Sequence, residues 1–260
     1  MRKREKGRGG RPWQKREKRD RRRDDDLALI YGWHAVQAAL ENPARRIRRL
    51  LVTPNGVRRL EELGIKPSVA PSIVRPEEID RLLPPDAVHQ GVLAEADPLP
   101  APALEELALD GIVLVLDQIT DPHNFGAIVR SAAAFAVSAI VTTARHSPEA
   151  TGVLAKSASG GLEYVPLVLV QNLARAMGDL KARGFLLVGL DETGTADLAD
   201  LSLKAPLALV MGAEGKGLRA LTRETCDCLA RLDLPGKIKS LNVSNAAALA
   251  LYVAARKISI

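Results

Sequence analysis

The sequence predicts an α/β fold organised around an open, mostly parallel sheet. From residue 111 onward, short apolar runs bounded by turn residues alternate with longer stretches of helical character, as expected of a parallel sheet covered on both faces. Several of those runs end in loops rich in Gly or Asn that lead straight into a helix start, the position where such sheets bind ligands. The composition, 47% hydrophobic but only 3% aromatic, supplies Leu, Val, Ala and Ile as core-formers. A chain of 260 residues can bury one core of ordinary size or two small ones.

The elements follow in order. Residues 1–26 hold 13 Lys or Arg and 6 Asp or Glu; the remainder holds 24 basic and 25 acidic side chains, so the net charge of +6 resides in the tail. That tail has little to bury and is expected to be disordered. Its Arg-rich character suits a nonspecific arm for nucleic-acid phosphates, with Trp13 available to stack on a base; a solubilising extension is the plainer alternative. Residues 27–96 read as a small α/β unit. A helix is predicted over 33–41 after Gly32, a strand over 50–53, a helix over 57–63 ending at Gly64, a helix over 76–83 with Pro76 at its first position, and a strand over 91–95. The stretch ADPLPAPALEEL, with three prolines, places a linker at 97–110.

The unit from 111 to 260 carries predicted strands at 112–116, 139–142, 165–170, 185–190, 207–211 and 228–232. Helices are predicted at 125–135, 151–157, 173–183 and 218–225, with a final one at 243–256. Asn172 and Asn242 stand where helix N-caps belong. This alternation of strand and helix is the signature of the class.

Several function classes are disfavoured. The GAEGKG segment at Gly212 has the wrong glycine spacing for a dinucleotide fingerprint, and no Ser or Thr follows Lys216 as a P-loop requires. No apolar run reaches the roughly 20 residues needed to cross a bilayer, and the charged N-terminus lacks the apolar stretch of a secretory signal. Cys226 and Cys228, the two cysteines of the chain, lack the partners of a zinc site and are read as reduced thiols. A cytoplasmic protein without bound metal is therefore expected.

Three segments carry the chemistry: DQITDPHNFGAIVRSA from Asp117, LVMGAEGKGL from Leu209 and LPGKIKSLNVSNAAALALY from Leu234. Together they place a cation, a carboxylate and several amides at strand ends. On residue type alone, Asn124 reads as a helix cap, Arg130 as an exposed helix arginine, Glu214 as a loop carboxylate, and Gly212 and Gly215 as turn glycines. In the third segment, Asn242 or Ser244 would cap the last helix. His123 is a weaker candidate base within a turn-like DPHN; His34, His89 and His146 are scattered and have no assigned role.

The three segments resemble, in order, the motifs of the SpoU (TrmH-like) class of RNA ribose 2′-O-methyltransferases, in the SPOUT superfamily. IYGWHAVQAAL from Ile30 and AVHQGVLAE from Ala87 resemble the small RNA-binding domain carried by bacterial 23S rRNA guanosine-2′-O-methyltransferases of that class. The resemblance implies a deep trefoil knot in the 111–260 unit and a homodimer that completes the site. The cofactor it implies is S-adenosylmethionine and the substrate 23S rRNA. It further implies catalytic roles for Asn124, Arg130, Glu214, Ser240 and Asn242, with cofactor contacts from Gly212, Gly215, Leu232, Leu234 and Leu241. Two positions depart from the family pattern: Asp233 stands where relatives typically have Pro, and Ala136 where they often have Gly. Two alternatives remain, a tRNA ribose methyltransferase and an RNA-binding ribosome-assembly protein without catalysis. The 27–96 unit speaks against the former and the intact polar set against the latter.

Overall fold

The computed structural model describes residues 27–85, 87–145 and 158–258. The tail at 1–26, the helix expected at 151–157 and His146 lie outside the described residues.

The first sheet is built by β1 (Ala28–Tyr31), β2 (Ile47–Val52), β3 (Ser72–Ile73) and β4 (Val92–Ala96), with α1 (Trp33–Glu41), α2 (Pro54–Glu62) and α3 (Pro76–Asp80) between them. The strand order is β1-β4-β2-β3, with β4 antiparallel to both neighbours. Strand β2 starts three residues before the predicted onset. Exposed Arg48 and Arg49, at a register irregularity, interrupt the apolar pattern there. Helix α2 starts three residues early, because the Thr53 hydroxyl accepts a hydrogen bond from the Gly56 N–H and Pro54 occupies the first turn. Strands β1 and β3 were not predicted; at four and two residues they are too short to show a period. Helix α3 stops at Asp80 rather than reaching residue 83. Trp33 anchors the unit: its backbone N–H donates to Gln90 Oε1 and its indole N–H to the Gln90 carbonyl, while the Arg59 guanidinium lies 4.8 Å from the ring centroid.

The second sheet has seven strands in the order β7-β6-β5-β10-β8-β11-β9, every pair parallel. They are β5 (Ile112–Asp117), β6 (Ala139–Thr143), β7 (Leu167–Val170), β8 (Leu186–Leu190), β9 (Ala196–Asp197), β10 (Leu207–Gly212) and β11 (Cys228–Arg231). The two-residue β9 was not predicted. Successive side chains alternate between faces. Ile112, Leu114 and Leu116 of β5 thus join one core with α4 (Pro122–Ala134) and α7 (Val243–Ile258). Val113 and Val115 join the other with α5 (Leu173–Ala182), while α6 (Ala220–Thr225) packs against α5. Both faces of β5 and β10 are thus buried, which explains their continuous apolar character.

The 97–110 stretch is partly docked. Leu104 and Leu107 are buried in the second core, and Arg183 donates to their carbonyls at 2.5 and 2.6 Å. The two units also meet through their connections: Arg45 Nε and Nη2 grip the Glu163 carboxylate, with Asn42 donating to the same group. The side chains of Arg45 and Glu163 are only 6% and 4% exposed. Nearby Gly160, at φ 88°, lies so close to Ala38 and the His34 carbonyl that a Cβ would come within 2.6 Å of Ala38 Cβ.

Candidate active site

Two loops and the first turn of α4, all at the carboxyl edge of the second sheet, meet around Asn242. Its Nδ2 donates to Asn124 Oδ1 at 3.0 Å and to Glu214 Oε2 at 3.1 Å. Its Oδ1 accepts from the Ser244 N–H and hydroxyl, at 3.0 and 2.6 Å, and its carbonyl accepts from the Ala246 N–H. Asn242 therefore caps α7, as expected, and also joins the other two motifs. Asn124 does not cap α4. That helix begins three residues before the predicted start because the Asp121 carboxylate accepts from the N–H groups of His123 and Asn124, with Pro122 in the first turn. The Asn124 side chain is thereby left to face Asn242.

The remaining expected residues are more dispersed. Arg130 is exposed on α4, where Nη1 lies 3.4 Å from the Ser159 hydroxyl; no hydrogen bond joins it to the Asn124–Asn242–Glu214 cluster within one chain. Ser240 is exposed. Leu232 packs against the α4–α7 core, Leu234 is half-buried, and Leu241 is 36% exposed. His89 is structural: Nδ1 accepts from the Gly91 N–H and Nε2 lies 3.2 Å from Asp80.

The two glycines serve different purposes. At Gly212 a Cβ would collide with the Gly217 carbonyl and the Leu218 nitrogen, so the residue lets the 212–217 loop close on itself, helped by the bond from the Gly217 N–H to the Ala213 carbonyl. At Gly215, φ is 76° with open space around it, so it is a turn glycine. The 234–241 stretch is braced by Lys239 Nζ on the Leu234 carbonyl, 2.7 Å. Neutral amides, tightly turned backbone and apolar Leu232, Leu234 and Leu241 fit the adenosyl and methionyl parts of S-adenosylmethionine.

The two positions that depart from the family pattern sit in distinct backbone settings. Ala136 adopts φ 50°, the left-handed region that favours glycine. The Asp233 carboxylate accepts from Arg231 Nε at 2.7 Å, and its N–H donates to Asp197 Oδ2 at 2.7 Å, a bond proline cannot make. The hydrogen bond from Arg231 holds the Asp233 carboxyl below the usual carboxylate range. Both cysteines are free; burial, then Cys228 and Asp227, pushes the Cys226 thiol up to about 12, a poor nucleophile.

Sequence reading missed the loop that follows β8. The Asp191 carboxylate accepts from the Thr193 N–H at 3.0 Å, the Thr193 hydroxyl at 2.6 Å and Arg223 Nη2 at 2.8 Å. At Gly194 a Cβ would come 2.5 Å from the Ala230 carbonyl carbon, so this loop lies flat on β11. Burial pushes the Asp191 carboxyl up, but the Thr193 hydrogen bonds and Arg223 outweigh it and hold the group below its ordinary range. A carboxyl depressed in the folded state contributes stability above its unfolded pKa and loses it as pH falls through the folded value. Asp191→Asn is therefore expected to cost about 1–3 kcal/mol at pH 7. The gap from wild type should narrow as the pH drops below the ordinary carboxylate range. Thermal unfolding across pH checks this, and a gap independent of pH would remove the charge argument.

The profile of the SpoU rRNA Methylase family matches residues 111–252, and that described as RNA 2′-O ribose methyltransferase substrate binding matches residues 29–102. The 23S rRNA (guanosine-2′-O-)-methyltransferase RlmB of Ralstonia nicotianae is 41% identical over 241 residues, spanning 89% of this chain and 96% of the relative. Among solved structures, the SpoU methyltransferase AviRb from Streptomyces viridochromogenes superposes with a TM-score of 0.76 at 28% identity, covering 94% of this chain and 93% of that one. AviRb with the cofactor AdoMet gives a TM-score of 0.75. The A. aeolicus TrmH/SpoU tRNA modifying enzyme covers only 59% of this chain and 78% of its own, with a TM-score of 0.51 and 26% identity.

Proposed function

We propose, from the premise that the chain belongs to the SpoU rRNA methylase family, that its two units act together on one RNA. The enzyme transfers a methyl group from S-adenosylmethionine to the ribose 2′-hydroxyl of a guanosine in 23S rRNA. The observation that carries this reading is the 41% identity to an enzyme of that activity across 96% of its length, both sheets included. The tRNA alternative is weaker because the tRNA-directed relative leaves about two-fifths of this chain unmatched.

When bound, S-adenosylmethionine supplies an electrophilic methyl group; the chain supplies position and charge. Asn242 holds Asn124 and Glu214 in one cluster. There, the Glu214 carboxylate can accept a hydrogen bond from the 2′-hydroxyl, and Ser240 borders the same loop. The Arg130 guanidinium binds the phosphate of the target nucleotide and stabilises charge developing on the 2′-oxygen. A guanidinium offers five N–H donors and no acceptor, so the role of base is not given to this side chain. The loop at Leu232 and Leu234 would hold the adenine, Leu241 would add backbone contacts to the cofactor, and the turns at Gly212 and Gly215 would let backbone approach it.

Residues 27–96 form the RNA-binding unit, 97–110 connect it, and 111–260 form the methyltransferase unit, whose chain is tied in a trefoil knot. Supporting the knot, β10 inserts between β5 and β8, β11 lies beyond β8, and the chain then returns as α7 to pack on α4. The enzyme works in the cytoplasm as a homodimer. Supporting the dimer, α7 leaves Leu249 and Tyr252 43% and 55% exposed, while Arg130 stands apart from the cluster it must serve. Light scattering at micromolar concentration should return twice the chain mass of 27.9 kDa; a monomer mass would end the dimer proposal. No helix among the described residues is long and apolar enough to cross a membrane. No described group of three His, Cys, Asp or Glu could hold a metal ion.

The testing experiment is transfer of labelled methyl to 23S rRNA and to bulk tRNA, followed by mapping of 2′-O-methyl sites. One methylated guanosine in 23S rRNA is expected. Methylated tRNA would retain the chemistry and replace the substrate. No transfer to either, with cofactor still bound, would favour the assembly-protein reading.

A further inference from the structure

A second polar cleft opens on the other face of the large sheet, away from Asn124, Glu214 and Asn242. Its volume is about 430 Å3, and it lies where β6 and β7 end and α5 and α6 begin. Two arginines line it. Arg145 is exposed and has no protein partner among the described residues. Arg219 is anchored through Nε on Asp117 Oδ1 at 2.7 Å, while its backbone N–H takes the other carboxylate oxygen at 3.1 Å. Its two Nη groups have no protein partner among the described residues, and the side chain is 43% exposed. The Asp117 side chain is fully buried, and among the described residues no Asp or Glu lines the cleft.

The other lining groups narrow the ligand further. Thr222 is 1% exposed and borders the cleft. Gln171 presents an exposed amide with no partner among the described residues, and Leu221 a 60% exposed apolar side chain. Guanidinium forks match phosphate. The amide can read a base edge and the leucine can cover a base face, and the volume exceeds what a bare phosphate fills.

We propose that this cleft is a subsite for one nucleotide of the rRNA strand flanking the methylated one, its phosphate on Arg145 and Arg219 and its base beside Gln171 and Leu221. RNA is favoured over a free nucleotide because the cleft lies at the carboxyl ends of β6 and β7, in the same sheet whose carboxyl edge carries the Asn242 cluster. Glu214 and Arg219 also stand on one short loop, so a bound strand can reach both. The subsite rests on the rRNA reading above.

The test compares wild type with Arg145→Gln, an exposed change, on a 23S rRNA fragment containing the target guanosine. The variant should raise KM about tenfold, leave kcat within about twofold, keep S-adenosylmethionine affinity, and flatten the slope of log affinity against log salt by about one. Trimming the fragment one nucleotide at a time from either end should, at one position, cost wild type the affinity the variant has already lost. Unchanged KM, salt slope and trimming profile in the variant would overturn the proposal. So would a site that guanosine monophosphate occupies in wild type but not in the variant while RNA affinity is unaffected; that would be a free-nucleotide site. Direct binding titrations with the fragment decide the matter even if wild type methylates nothing in 23S rRNA, an outcome that would sink the functional reading separately.

Discussion

Replacing Arg130 with Ala is expected to lower kcat about 10²- to 10³-fold, the usual cost of losing one preorganised charge-stabilising donor. S-adenosylmethionine affinity and thermal stability should stay near wild type. The side chain is exposed, and its one described hydrogen bond, to Ser159, is 3.4 Å long, so little folding energy is at stake. Arg130→Lys should recover only part of the loss, because an ammonium cannot reproduce the bidentate fork. Single-turnover methylation with calorimetric cofactor binding separates the two quantities. Near-wild-type turnover in Arg130→Ala would show that the guanidinium has no part in the transfer.

The second large effect is expected at Gly212. A methyl group there would run into the backbone of Gly217 and Leu218, and backbone cannot swing aside as a side chain can. Gly212→Ala should cost about 3 kcal/mol, lowering Tm by roughly 6–10 °C in a chain of this size, and it should weaken S-adenosylmethionine binding as the loop opens. Gly215→Ala is the internal comparison: φ is 76° but the space is open, so only backbone strain of about 1 kcal/mol is expected. Equal Tm losses in the two variants, or intact cofactor affinity in Gly212→Ala, would remove the self-packing argument.

The contrast between these glycines illustrates what the sequence could and could not reveal. Both stand in one GAEGKG stretch and read alike as turn residues; only three dimensions distinguish a collision from empty space. The strands β5 and β10 were legible because both faces are buried, so their apolar runs are unbroken. The start of α4 was missed because Asp121-Pro122 suits a turn as well as a helix N-terminus. Asn124, Glu214 and Asn242 were each singled out by motif, but their meeting was not legible from spacing, since Asn124 and Asn242 are 118 residues apart. The pairs Arg45–Glu163 and Arg223–Asp191 join residues of common surface type across long separations, with no local pattern to reveal them. The Arg145–Arg219 cleft was missed for the same reason.

Asp233 carries a lesson about history. Its N–H bond to Asp197 and its pairing with Arg231 form an arrangement in which restoring the proline customary among relatives is no longer a neutral reversion. Proline would leave the Asp197 oxygen without that donor and Arg231 without its Asp233 partner, so the three positions are coupled. The same substitution carried into a relative without Asp197 and Arg231 would lack both of these anchors.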